Sequence, residues 1–317
     1  MLYLLCVSFF QMPYAPLLEL DDERVTASGH MLSAPCAVLY HQDRLYVADS
    51  GSHQVFMLDN QDNYTVFGKP GNGPREFKNP PVRLEIEDGH LRVTEWNRWS
   101  TSLYTLDGNF VKKFAPNRYV FIHNGVVALK HYGKGAMETG YLFQLKDKQC
   151  YFGKLREKTW LEYHLSTNYH TVGEDGQFVI ARKSGLIETY DGDCKQVASM
   201  VLMLDAYKRE MVEDRLSTGL SRRKGKKAAT SVPSPKAYRY GVPIIAVAAK
   251  NASRVWLLVK NENNESECFL YEVDPTAGEV HFSHKLDTAF DGLSYNGGKL
   301  ILLSTDEALV RVYEIGA

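Results

Sequence analysis

The chain has 317 residues with 37 Lys plus Arg against 38 Asp plus Glu, so its net charge is -1 and no overall field steers it toward nucleic acid. Hydrophobic residues make up 44% and charged residues 24%, which excludes a disordered chain, while 12% aromatics with 19 Tyr favour β structure. The length suits two ordinary domains or one large all-β domain.

The first segment, residues 1–15, is apolar from Leu2 to Phe10 and far shorter than the roughly 20 residues a membrane span needs. It fits either an exported, envelope-bound chain or a cytoplasmic one whose first segment packs on the body. Residues 16–25 then read as a strand with no partner nearby in sequence. From Pro35 onward a unit appears, with strands separated by turns expected across 35–40, 44–59 and 64–68. A second unit follows over 82–86, 90–96, 102–108 and 110–114. Pro35 to Pro80 is a step of about 45 residues, the size of a four-stranded propeller blade.

Weaker copies occupy 120–152, 169–201 and 244–284, each with period-2 alternation between Asp, Gly and Asn turns. The sixth unit, 292–315, has only three strands. The spare strand in 16–25 is expected to supply its fourth and so close the ring without leaving sheet edges. The expected architecture is therefore an all-β, six-bladed β-propeller over 16–317, with four-stranded antiparallel blades.

Residues 204–240 interrupt this plan. Residues 205–216 carry helix formers at helical spacing, and the basic run Arg222, Arg223, Lys224, Lys226 and Lys227 follows before a Pro/Ser-rich stretch. This reads as an excursion between the fourth and fifth blades.

Val47-Ala-Asp-Ser-Gly-Ser-His53, the hydrophobic-Asp end at Leu58-Asp59, and the tail from Phe67-Gly68 through Gly71, Gly73 and Phe77 to Pro80 together resemble an NHL repeat. The second unit keeps the pattern in part, with Glu95 in place of Asp49 and Trp96-Asn-Arg-Trp99 in place of the small turn residues. The chain is similar to the broad bacterial family of NHL-related six-bladed propellers. That resemblance implies a fold but not a chemistry, because propellers host binding modules, lyases and hydrolases.

In a propeller, the loops between second and third strands gather on one face with the loops that join blades. That placement nominates Asp49 and His53, then Glu95, Trp96, Arg98 and Trp99, then Lys130, His131 and Tyr132, and finally Arg182, Lys183 and Lys260. Mixed charges with aromatics suit a protein, peptide or glycan ligand. Asp49 has a second reading, as a carboxylate that caps its own turn. No HExxH, GxSxG or phosphate-binding loop is present, and His281 and His284 stand three apart on a strand, pointing to opposite faces. The five cysteines show no CxxC spacing and read as buried thiols.

These features point to a non-enzymatic binding or scaffolding module, monomeric, without cofactor. The alternative is a metal-dependent lyase or lactonase-type hydrolase with a divalent ion at the channel mouth. A third reading is RNA binding through residues 222–227, although the net charge argues against nucleic acid.

Overall fold

The computed structural model describes residues 16–315 except 22, 24, 26–28, 62, 97–99, 115–120, 124–125, 133–137, 146–147, 157–167, 184, 203–209, 212–237, 240–243, 261–263 and 265. Strand β1 (Leu18–Leu20) precedes a first sheet of β2 (Pro35–His41), β3 (Arg44–Asp49), β4 (Gln54–Leu58) and β5 (Tyr64–Phe67). The second sheet holds β6 (Pro81–Glu87), β7 (His90–Glu95), β8 (Thr101–Tyr104) and β9 (Phe110–Phe114). The third holds β10 (Phe121–His123), β11 (Val126–Tyr132), β12 (Glu138–Leu145) and β13 (Lys148–Arg156).

In the fourth are β14 (Asn168–Val172), β15 (Phe178–Arg182), β16 (Leu186–Tyr190) and β17 (Gln196–Val201). A two-stranded ladder of β18 (Glu210–Met211) and β19 (Tyr238–Arg239) separates it from the fifth sheet. That sheet contains β20 (Ile244–Asn251), β21 (Arg254–Lys260), β22 (Cys268–Asp274) and β23 (Glu279–Leu286). The last has β24 (Gly292–Asn296), β25 (Lys299–Ser304) and β26 (Leu309–Glu314).

Each four-stranded sheet runs in sequence order, except that β1 completes the last one by pairing with β26, Leu18 opposite Val312 and Leu20 opposite Val310. The chain is a β-propeller. The N-terminal strand closes the final sheet as the spare strand predicts, and Arg311 secures it with an ion pair to Glu19 at 2.7 Å. Within the helix expected over 205–216, Glu210 and Met211 are strand residues instead, paired with Arg239 and Tyr238. Cross-strand pairing there overrides a weak helix propensity. The rest of that helix and the basic run 222–227 lie outside the described residues.

The central strands alternate between two apolar seams, not between core and water. Leu45 and Val47 of β3 pack toward the last sheet with Phe56, Ile301 and Val310. Tyr46 and Ala48 point the other way, to Leu84, Leu91 and Val93 of the second sheet. Period-2 alternation in a strand buried on both faces thus joins each sheet to two neighbours.

Turn chemistry explains the repeat. Gln42 and Asp43 (φ 49° and 57°), Asp88 and Gly89 (49° and 73°), and Gly297 and Gly298 (57° and 75°) make left-handed two-residue turns between first and second strands. At the ends of third strands, Asp59 Oδ1 accepts the amides of Gln61 and Asn63, and Asp191 Oδ1 those of Asp193 and Lys195. The recurring hydrophobic-Asp strand end is therefore an Asx turn.

The cysteines divide. Cys36 and Cys268 are free thiols, whereas Cys194 is disulfide-bonded, which corrects the expectation that it is a buried thiol. Cys194 lies half-buried in the 191–195 turn at φ 61°, not in a strand interior.

Candidate functional site

The nominated face is built by the ends of the second strands. Asp49 ends β3 fully buried, its Oδ2 accepting the amides of Ser33 at 2.6 Å and Ala34 at 3.0 Å and its Oδ1 that of Ser52 at 2.8 Å. Glu95 ends β7 in the same way. It is buried, its Oε2 accepts the Asn79 amide at 2.9 Å, and its Oε1 is ion-paired with Lys113 Nζ at 2.7 Å. Next to them, Ser50 N donates to Ala34 O and Trp96 N to Pro80 O, both at 2.8 Å. Both carboxylates thus fasten the loop entering their own sheet, and neither reaches solvent.

Arg182 ends β15 and is also fully buried. Its Nε and Nη2 donate to Glu188 Oε2 at 3.0 and 2.8 Å, and Nη2 also donates to Gly153 O of the third sheet. Tyr190 completes the group by donating its hydroxyl to Glu188 Oε1 at 2.8 Å, and burial first, then Glu188, pushes that hydroxyl above its ordinary range. The three charged residues nominated for a ligand face are therefore interior: Asp49 caps its own turn at Ser52 and holds the Ser33 and Ala34 amides, Glu95 is held by the Asn79 amide and Lys113, and Arg182 by Glu188 and Gly153 O.

His53 is half-buried at φ 54°, with Nδ1 3.3 Å from Phe77 O. Trp96, just past the end of β7, is 57% exposed. Arg98 and Trp99 lie outside the described residues; His131 sits on β11, but its side chain also lies outside them. Lys260, at the end of β21, is exposed.

What the ring encloses is a central channel of about 1360 Å³, lined by the inner strands β2, β6, β14, β20 and β24. Each is the terminal strand of its sheet, so one backbone edge faces the channel without a ladder partner. The polar lining includes His41, Arg83, Glu85, Glu87, His170 and Asn296. Tyr295 adds an aromatic wall, stacked on Trp256 at 4.6 Å between ring centres, with Trp256 Nε1 donating to Glu272 at 3.0 Å. Burial raises the Tyr295 hydroxyl above its usual range.

The channel also touches Cys36, whose thiol burial pushes up to about 12 and which donates to Pro81 O at 3.0 Å. It is a neutral donor, not a nucleophile. Among the described residues no three His, Cys, Asp or Glu side chains gather to share a metal ion. His281 approaches Asp274 at 3.9 Å and Glu279 at 4.0 Å. The channel residues were missed from sequence, although a signal existed: β6 reads Arg83-Leu-Glu-Ile-Glu87, with charges at the alternate positions of an inner strand.

No protein-family model and no curated protein sequence matches the chain. Solved structures do match. A candidate exported protein of Bacteroides fragilis is 9% identical with a TM-score of 0.56, over 92% of this chain and 83% of that one. A DUF4221 family member from Bacteroides vulgatus is 9% identical with a TM-score of 0.54, over 94% and 96%. A virginiamycin B lyase from Staphylococcus aureus reaches 11% identity over 94% and 99%, at a TM-score of 0.47. At these identities the likeness concerns the fold alone. Among the described residues, no helix is long and apolar enough to cross a membrane.

Proposed function

We propose that the chain is a non-enzymatic binding module, an NHL-like propeller of six blades that holds a polar ligand, peptide or glycan, in its central channel, with the exposed Trp96 as a further contact. The observation that carries this reading is the channel itself. Its 1360 Å³ exceeds a typical small-molecule site, and it combines unpaired backbone edges with Tyr295 and charged side chains. Such a lining offers hydrogen bonds along the main chain of an extended ligand and aromatic area beside them. The interior roles of Asp49, Glu95 and Arg182 support the same reading, since each is engaged in holding loops and seams.

The test is binding of the native chain to a peptide array and a glycan array, repeated with Trp96→Ala and Tyr295→Ala. Ligands captured by the native chain are expected to bind about tenfold more weakly to at least one variant. Silence on both arrays, or ligands indifferent to both variants, refutes the proposal. The disulfide at Cys194 further supports an oxidising compartment, the exported alternative of the two considered.

A further inference from the structure

The turns between third and fourth strands share one backbone plan in the second and fourth sheets. In the second, Thr105 N donates to Asn109 O and Gly108 N to Thr105 O; in the fourth, Asp191 N donates to Lys195 O and Cys194 N to Asp191 O. The left-handed position is Gly108 at φ 82° in one turn and Cys194 at φ 61° in the other. Glycine takes that conformation without the steric cost of a Cβ, so a cysteine there is explained by what its sulfur does. Cys194 is disulfide-bonded.

Number and place point to its partner. The chain has five cysteines, and Cys36 and Cys268 are free thiols, which leaves Cys6 and Cys150. Cys6 lies outside the described residues and precedes β1, which is fixed on the last sheet, with the fifth between it and the fourth. Cys150 is a residue of β13, the outer strand of the third sheet, in register with Phe143 of β12. Phe152, the next residue on the same strand face, packs on Phe178 and Tyr190 of the fourth sheet at 5.0 and 5.1 Å between ring centres. Tyr190 ends β16 and leads directly into the 191–195 turn. One residue further along β13, Gly153 O accepts from Arg182 Nη2 at 2.8 Å, and Arg182 stands at the opposite end of β15 from Phe178. The strand therefore runs away from the turn, and Cys150 stands about 7 Å nearer to it than Phe152 does.

We infer that Cys194 is bonded to Cys150, and that this bond is a redox-sensitive clamp between the third and fourth sheets. It joins β13 to the turn that enters β17, and both strands are the outer strands of their sheets. The bond closes a loop of about 45 residues, which restricts the unfolded chain and so favours the closed ring. A dithiol reductant supplies two electrons and two protons, breaks the S–S bond, leaves thiols at both positions and is itself oxidised to a disulfide. The seam then depends on noncovalent contacts such as Phe152 on Tyr190 and Arg182 on Gly153 O.

Peptide mapping of the full chain, with free thiols alkylated before digestion, tests the pairing. Trypsin places the three cysteines in separate peptides, residues 1–24, 149–154 and 184–195. Peptides 149–154 and 184–195 are expected as one linked species that separates on reduction. A link from 184–195 to 1–24, or an unlinked 184–195, overturns the inference. Thermal unfolding tests the clamp. Dithiothreitol is expected to lower the midpoint by about 5–10 °C. Cys150→Ser should lower it as far without reductant and then show no further change with it. A native midpoint that stays put after complete reduction overturns the clamp. The two native-chain measurements decide the matter even if Cys150→Ser does not fold, and neither depends on what the channel binds.

Discussion

Asp49 and Glu95 hold the same place in consecutive sheets, and each directs its carboxylate at the main-chain amides of the loop that leads into its own sheet. The longer Glu95 side chain reaches one amide and Lys113; the shorter Asp49 reaches three amides. A strand end is thereby tied to a strand start, which sets where each inner strand enters the channel.

Asp49→Ala leaves the amides of Ser33, Ala34 and Ser52 without their acceptor. With hydrogen bonds to charged groups near 1.5–3 kcal/mol each and not additive, the expected loss is about 3–5 kcal/mol. Asp49→Asn should cost less. Equilibrium urea unfolding checks both, and a loss of less than about 1 kcal/mol for Asp49→Ala would show that the contact is incidental.

Gly68 sits at φ 79° directly over the Phe77 ring, so an added methyl group would overlap that ring. Phe77 is fully buried in the seam between the first two sheets. Gly68→Ala is expected to cost about 3 kcal/mol through strain and overpacking, and Phe77→Ala about 3–5 kcal/mol through cavity formation. Because removing the ring removes the overlap, the double variant should lose less than the sum. Strict additivity in thermal or urea unfolding would sink this account.

The buried Arg182–Glu188 pair predicts a different pattern. Arg182→Met alone strands the Glu188 carboxylate and should cost about 3–5 kcal/mol. Replacing the group together, as Arg182→Met, Glu188→Leu and Tyr190→Phe, should return stability to within about 1 kcal/mol of the native chain. If the triple variant is as unstable as the single one, then the group contributes more than its own satisfaction.

Burial is the main cause that raises the thiols, Cys36 to about 12 and Cys268 to about 11. A raised thiol pKa keeps the neutral form through pH 8, so on the order of one in a thousand or fewer is a thiolate there. Native protein treated with iodoacetamide at pH 8 should label at neither residue, and urea-unfolded protein at both. Cys194 should label only after reduction. Rapid native labelling of Cys36 would contradict its burial, and an unmodified Cys194 thiol in the freshly isolated protein would remove the argument for an oxidising compartment.

The architecture was largely legible before the structure. Runs such as Arg44 to Asp49 and Lys299 to Ser304 are short continuous apolar stretches, and turn residues such as Asp59 and Gly89 punctuate the chain between strands; these signals are local. Even the closing strand could be found, because one unit lacked a strand and one strand lacked a unit. The site was much less legible. Glu95 and Arg182 look like surface groups from their loop-adjacent positions, and only the turn-capping reading of Asp49 points inward, yet main-chain groups and charged side chains from residues 3 to 29 positions away enclose all three. Trp96, nominated with them, does stand exposed.

By itself, then, the sequence determined strands, turns, repeat length and the order in which sheets form, because backbone geometry and turn chemistry act over a few residues. Tertiary structure alone decided which neighbouring sheet each face of an inner strand meets, and that its free edge borders the channel. A strand such as β6 is enclosed on both faces, so its charges at 83, 85 and 87 can be assigned a side only when the sheet beside them is known.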